Sequence, residues 1–367
     1  MKITTVVGTR PEMIRTSNVV KLLDAAKPYV EHTFIHTNQN AQESLKDQFY
    51  ADLGLRHEDV CLPTVDCLSG AQWIGEAMKW LDNYFRGERP DRIFILGDTN
   101  SAFATAYVAR RLGIPIFHAE AGNRCFDPRS PEEINRKPID HMADVHMCYT
   151  EHSRRNLLAE GIQANRIFVV GNPIVDVALI DGVGDAPDTL KKLGVEANDY
   201  YLATLHRAEN VDDARRCGVF FDVVGRLQAG HRVVVSTHPR LADAMRRNMA
   251  YAQRISWDNA TFSEPFGFKA FLALERGARC VLTDSGTVPE EVALFGCGSV
   301  ILRDSTERPE LVDNGNVIVA GCSDVNAILA AVAAIEARSG MIRTPPAYEQ
   351  PNASDTIVNI VTGRLPL

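Results

Sequence analysis

Short runs of β-branched and aliphatic residues alternate with amphipathic helical stretches along nearly the whole chain. This alternation restricts the fold more than any single motif, because it calls for parallel sheets with helices on both faces. Ile3–Val7, Thr33–His36, Arg92–Leu96, Ile114–His118 and Ile167–Val170 read as strands, separated by helical segments near 11–26, 70–87, 100–112 and 151–160. The series restarts with strand-like Tyr200–Thr204, Arg232–Ser236, Arg254–Trp257, Cys280–Thr283 and Val300–Leu302, with helices near 213–228, 240–250, 267–276, 288–295 and 323–337. Two such series in 367 residues predict two doubly wound α/β domains with a cleft between them. The boundaries expected are 1–171 and 172–349, with the join where Gly182, Gly184, Asp185 and Pro187 cluster. The last helix, about 353–363, has no strand beside it and is expected to complete the first domain as part of 350–367.

Composition narrows the function classes. With 39 Lys plus Arg against 47 Asp plus Glu, the chain carries a net charge of −8. That argues against a nucleic-acid partner, whose phosphates need an attractive field, and leaves room for local basic pockets. No apolar run is long enough to span a bilayer, so no membrane association is expected. The eight cysteines form no Cys-x-x-Cys pair and read as reduced thiols in a cytoplasmic protein. There is no dinucleotide-binding glycine fingerprint, no P-loop, no zinc spacing and no nucleophile elbow. No cofactor and no metal are therefore expected.

Ligands of open α/β sheets bind at the carboxyl ends of the strands, so polar residues placed there carry the functional signal. Gly8-Thr9-Arg10-Pro11-Glu12 fits a capped helix start, with Thr9 and Glu12 at capping-box spacing. That leaves Arg10 and Arg15 unexplained, and arginines at a helix N-terminus make an anion site. Asp98, after the strand ending at Leu96, either begins the next helix or serves as an acid/base carboxylate. His118 and Glu120 alternate at a strand end and are expected to point the same way. A carboxylate at the mouth of a buried strand needs partners, which favours Glu120 as a catalytic group. In Ser130-Pro131-Glu132-Glu133 the spacing assigns Glu133 to capping and leaves Glu132 to project, while Pro138 is expected to kink or interrupt the helix. In the second series, His206-Arg207-Ala208-Glu209-Asn210 reads as a polar-ligand loop. Asp284-Ser285-Gly286-Thr287 leads into a helix whose turn offers N–H groups and hydroxyls to phosphate, with Thr287 and Glu290 again at capping-box spacing. Glu291 is placed to accept from vicinal sugar hydroxyls.

Seven segments in order resemble the non-hydrolysing UDP-N-acetylglucosamine 2-epimerases: Gly8–Glu12, Gly97-Asp98-Thr99, His118–Gly122, Pro131–Arg136, His206-Arg207, Thr283–Gly286 and Arg303–Glu310. The resemblance implies two Rossmann-like domains in a GT-B-like arrangement, a homodimer, and neither nicotinamide nor an obligatory metal. It implies reversible inversion at C2 of UDP-GlcNAc to give UDP-ManNAc, through elimination of UDP to a 2-acetamidoglucal and its re-addition. The partners implied are thus a UDP-sugar and UDP. By position it makes Asp98, Glu120 and Glu132 the acid/base carboxylates, with His206 also catalytic. Arg10, Arg15, Arg136, His206, Phe271, Ser285, Gly286, Thr287, Glu291 and Arg308 become the substrate- and UDP-binding set.

The chain departs from the common pattern at several points. Arg15 stands where Lys is usual, and Thr287 replaces a second Gly after Ser285. His36-Thr37-Asn38-Gln39-Asn40 stands where many members have Thr-Gly-Gln-His, a stretch that helps form an activating UDP-GlcNAc site in bacterial members; His206-Arg207-Ala208 also lacks the usual second Arg. Glu120–Asp127 resembles the branch that epimerises 6-deoxy UDP-amino sugars on the way to UDP-N-acetyl-L-fucosamine, which leaves that substrate class as an alternative. A GT-B glycosyltransferase is the other alternative, although it would not need three carboxylates around C2. A non-catalytic sugar-nucleotide sensor would need none.

Overall fold

A computed structural model of the chain describes residues 1–39, 46–63, 69–180, 186–247, 256–349 and 352–364. The chain divides into two compact units, Met1–Asp181 with Gln350–Leu367, and Gly182–Glu349. The first unit holds β1 (Lys2–Val7), β2 (Glu31–His36), β3 (Val60–Cys61), β4 (Arg92–Leu96), β5 (Ile116–Ala119), β6 (Val145–Cys148) and β7 (Ile167–Val169). Among the described residues these form one parallel sheet in the order β3-β2-β1-β4-β5-β6-β7. The second unit holds β8 (Tyr200–Thr204), β9 (Arg232–Ser236), β10 (Ala260–Ser263), β11 (Cys280–Thr283), β12 (Ser299–Ile301) and β13 (Val317–Val319), in the order β10-β9-β8-β11-β12-β13. Each is a doubly wound sheet that reverses direction between its first and fourth strands, at β1/β4 and at β8/β11.

The strands are apolar on both faces because both faces are covered. In β4, Ile93 and Ile95 pack with Trp73, Leu81 and Phe85 of the helix Gly70–Glu88, whereas Phe94 and Leu96 face Val19 and Leu23 of the helix Arg10–Ala25. In β8, Tyr201 and Ala203 join one core and Tyr200 and Leu202 the other. Ile357 and Val361 of the helix Ala353–Thr362 share the core with Ile3, Val19 and Phe94, and Ser354 N donates to Asp176 Oδ2 at 2.6 Å. Asp176 lies on the helix Pro173–Ile180, which packs on the helix Arg10–Ala25. That packing keeps the segment with the first unit, so the division falls at Asp181/Gly182 rather than at 171/172. Gly182, Gly184 and Asp185 lie outside the described residues.

Two local expectations change. Of Arg254–Trp257, residues 254 and 255 lie outside the description, and Ser256 and Trp257 form no strand; β10 begins at Ala260. Trp257 instead covers the core edge-on, with its ring 5.0 Å from Phe262 and 6.3 Å from Phe221. Pro138 does not interrupt its helix, which runs unbroken from Pro131 to Met142. The carbonyl that loses its donor belongs to Ile134, on a face where Ile134 is 68% exposed and water can satisfy it. No described helix is long and apolar enough to cross a membrane.

Candidate active site

In the first unit the polar loops gather at the carboxyl ends of β1, β4 and β5, beside the switch point. Gly8 follows β1 where a Cβ would lie 2.3 Å from Thr37 Oγ1, so only glycine fits. Thr9 is the N-cap of the helix Arg10–Ala25, but its hydroxyl does not cap; it donates to Glu12 Oε2 at 2.8 Å. Gly8 N also donates to Oε2, at 2.9 Å, and Thr99 Oγ1 donates to Oε1 at 2.7 Å. Glu12 thus ties the β1 loop to the β4 loop. Burial pushes its carboxyl up to about 7, against these hydrogen bonds, which pull it down. The folded state therefore holds a proton that an unfolded chain releases near pH 4.5, and stability falls as pH rises from there through about 7. Glu12→Gln, measured by urea unfolding, is expected to gain on the wild type by up to about 3 kcal/mol between pH 4.5 and pH 8. A gap that stays constant with pH would contradict this. Arg10 is half-buried at the first helical position, and Arg15 is buried one turn further on.

Asp98 follows Gly97, which has φ +76°. Arg136 Nε donates to Asp98 Oδ2 at 2.8 Å and its Nη1 to Glu133 Oε2 at 2.6 Å. Asn135 Nδ2 donates to the Asp98 carbonyl at 2.9 Å. Glu120 is buried, and Asn123 Nδ2 and Tyr149 Oη donate to its two oxygens at 3.0 and 3.2 Å. Arg15 Nη1 stands 3.9 Å from Glu120 Oε2. The same oxygen lies 3.6 Å from where a Cβ on Gly97 would be, so Glu120 and the Asp98 loop adjoin. Glu120 has φ +64°, a left-handed conformation that a non-glycine residue adopts at a cost of about 1–3 kcal/mol and that concentrates at functional sites.

Three readings based on spacing are corrected here. β5 ends at Ala119, so the left-handed Glu120 lies beyond the strand and does not continue its alternation, although both Glu120 and His118 reach Gly97. His118 is held between Asp140 Oδ1 (2.9 Å) and the Gly97 carbonyl (2.8 Å). Glu133 does not cap its helix; it accepts from Cys125 N and Phe126 N as well as from Arg136. Burial would raise its carboxyl, but these donors hold it below the usual range. Glu132 does not merely project; it accepts from Ser130 Oγ at 2.8 Å on the turn that carries Arg136. The structure thus brings together Asp98, Glu120, Arg15 and Arg136, with Glu132 one turn before Arg136.

The second unit repeats the arrangement at β8 and β11. Fully buried Asp284 accepts from His206 N (3.0 Å), Arg207 N (2.9 Å) and Asn210 Nδ2 (3.1 Å), and lies 3.2 Å from His206 Nδ1. It shapes the loop and orients the half-exposed His206 ring. Ser285 Oγ, not Thr287, accepts from Thr287 N and Val288 N at the start of the next helix. Glu290, read from its spacing as a cap, is fully buried and forms an ion pair with Arg308. Glu307 is held by Arg303 at 2.9 Å, and a Cβ on Gly286 would lie 2.4 Å from Glu307 Oε1. Gly286→Ala is accordingly expected to cost about 1–3 kcal/mol in urea unfolding; an unchanged midpoint would show that Glu307 yields freely. Glu291 is buried beside Glu275, whose carboxyl is pushed well above the usual range by burial first and by Glu291 second. Phe271, on the helix Phe268–Gly277, is partly buried against the core that contains Val288. Among the described residues, neither Asp98, Glu120, Glu132 nor His206 belongs to a three-residue group with metal-ligand spacing.

Residues 23–362 match the family model described as UDP-N-acetylglucosamine 2-epimerase. The chain belongs to the UDP-N-acetylglucosamine 2-epimerase family. Membership makes it an isomerase that acts at C2 of a UDP-linked amino sugar. It is 36% identical over 330 residues to the UDP-N-acetylglucosamine 2-epimerase of Methanocaldococcus jannaschii, covering 88% of each chain. It is 34% identical over 330 residues to the UDP-2,3-diacetamido-2,3-dideoxy-D-glucuronate 2-epimerase of Pseudomonas aeruginosa, covering 89% of this chain and 90% of that one. Its fold matches the crystal structure of the M. jannaschii UDP-GlcNAc 2-epimerase in complex with UDP-GlcNAc and UDP, with a TM-score of 0.89 at 33% identity over 99% of both chains. Asp140 and Tyr149 support this 2-epimerase's candidate groups but gave no local signal in the sequence, whereas Asn123 and Asp284 lay within segments it singled out without showing their roles. Asp140, for instance, meets its partners 16 to 22 residues away.

Proposed function

We propose that the enzyme interconverts UDP-GlcNAc and UDP-ManNAc by eliminating UDP and adding it back. A carboxylate takes the C2 proton while the C1–O bond breaks. The C2–H electron pair becomes the C1=C2 bond of a 2-acetamidoglucal, and the pair of the broken bond leaves with UDP. Re-addition of UDP at C1 and of a proton at C2 from the opposite face gives the epimer. Asp98, Glu120 and Glu132 are the acid/base carboxylates of this reading. Arg10, Arg15 and Arg136 supply positive charge near them, and His206, Ser285, Gly286, Thr287, Arg308 and Glu291 hold UDP, with Phe271 against the nucleotide. The C2 proton is not acidic, so its removal must accompany departure of a leaving group whose growing charge is stabilised.

The observation that carries the reading is Glu120: a buried carboxylate in left-handed backbone, hydrogen-bonded by Asn123 and Tyr149 and faced by Arg15. Such an arrangement is hard to account for as packing alone. The same reading takes the enzyme as a cytoplasmic homodimer, on the strength of the family resemblance and of the free cysteines among the described residues.

Proton NMR of the purified enzyme with UDP-GlcNAc tests the proposal. UDP-ManNAc should appear without any acceptor. Sugar transfer only when an acceptor is added would favour a glycosyltransferase, and free ManNAc with UDP a hydrolysing enzyme. Turnover of a 6-deoxy or diacetamido UDP-sugar with UDP-GlcNAc left untouched would move the substrate and keep the chemistry.

A further inference from the structure

His36 ends β2 and Cys61 ends β3, and the two are register partners in a parallel ladder. Their side chains therefore leave the sheet on the same face, side by side, at its carboxyl edge. Glu58 precedes Cys61 by three residues. One ligand atom from each of His36, Glu58 and Cys61 lies within 4.8 Å of the other two. Zinc–ligand bonds of about 2.0–2.3 Å bring ligand atoms within about 4 Å of each other, so the three need to close only slightly.

The surroundings fit a ligand set. Asn38 Nδ2 donates to the Leu62 carbonyl at 2.7 Å, which turns Asn38 Oδ1 toward His36 Nδ1 at 2.9 Å. Asn38 N also lies 3.2 Å from Nδ1, so two groups of Asn38 hold the imidazole in place, as outer partners do for metal-bound histidines. Tyr50 Oη donates to Glu58 Oε2 at 2.5 Å and orients that carboxylate. One imidazole, one thiol and one carboxylate form a mixed N, S, O set suited to a borderline-soft divalent ion. The sequence hides the set, because His36 is brought to Glu58 and Cys61 only by the β2–β3 pairing.

We propose that His36, Glu58 and Cys61 form a zinc site that staples β3, an edge strand of two residues, to β2. The site is independent of the epimerase reading and contains none of the groups assigned to the reaction.

Tag-free, reduced full-length protein titrated with Co²⁺ and Zn²⁺ tests it. Expected are one Co²⁺ per chain with a thiolate-to-cobalt charge-transfer band, displacement by Zn²⁺, and a Zn²⁺-dependent rise in the unfolding temperature. Cys61→Ser, on the exposed edge strand, should fold normally, lose the band, bind Zn²⁺ at least about tenfold more weakly and lose the thermal shift. Asn38→Ala should weaken binding about 10–100-fold through loss of ring orientation. Cys297→Ser, which alters a half-buried thiol elsewhere, should change none of these. A band that survives Cys61→Ser, one that disappears with Cys297→Ser, or the absence of stoichiometric binding would overturn the proposal.

Discussion

Glu120→Gln is expected to lower epimerase turnover by about 10²–10⁴-fold while leaving the fold intact, the usual range for loss of one general acid–base group. The substitution keeps the shape and an oxygen for Asn123 Nδ2, 3.0 Å away in the wild type. It removes the negative charge that faces Arg15 across 3.9 Å and the ability to take a proton. Because Glu120 is almost wholly buried, no surface group can readily replace it. Asp98→Asn should behave similarly, since Asp98 loses its charge but keeps an oxygen for Arg136 Nε. The check is kcat by proton NMR beside a circular-dichroism melt. Near-normal turnover in both variants, each folded, would remove the carboxylates from the chemistry.

Asp140→Ala is expected to destabilise the protein by about 3–5 kcal/mol in urea unfolding, the range for removing one partner from a buried charged network. Asp140 is fully buried and receives His118 Nδ1 at 2.9 Å, Arg124 Nη2 at 2.8 Å and Gly122 N at 3.2 Å. It thereby fixes the loop that carries Glu120 and Asn123, so turnover should fall with stability. The pH dependence has a definite sign. Burial would raise the Asp140 carboxyl, but His118 first and then Arg124 outweigh it and hold the carboxyl below the usual range. Its contribution is therefore complete above about pH 4 and is lost as pH falls through the folded value. The variant should lack that acid limb. A urea midpoint close to the wild type, with the acid limb retained, would show that Arg124 and its second partner Glu160 suffice without Asp140.

Most central strands were legible because both their faces are buried, although Val145–Cys148, buried between β5 and β7, was not read as a strand. Arg92–Leu96, Tyr200–Thr204, Arg232–Ser236 and Cys280–Thr283 are near-continuous apolar runs that begin and end as their composition indicates. Val60–Cys61 and Val317–Val319 escaped notice because two or three residues carry no periodicity, and both lie at sheet edges. The polar loops after the strands were legible for the same topological reason: strand ends are where side chains have no packing duty. Roles inside those loops were less so. Spacing alone gave Glu12, Glu133 and Glu290 the same task, helix capping, yet their main partners include Thr99, Cys125 and Arg308, each brought in by another part of the chain. Asp284 and Glu275 are further cases in which a buried carboxylate is explained only by what folds onto it.

The most direct test of the central claim is proton NMR of UDP-GlcNAc incubated with the enzyme in D2O. Deuterium is expected at C2 of the UDP-ManNAc formed and of the recovered UDP-GlcNAc, with both signals suppressed in Glu120→Gln. UDP-ManNAc that keeps its original hydrogen at C2 would contradict that claim, since no carboxylate would then have carried that proton away.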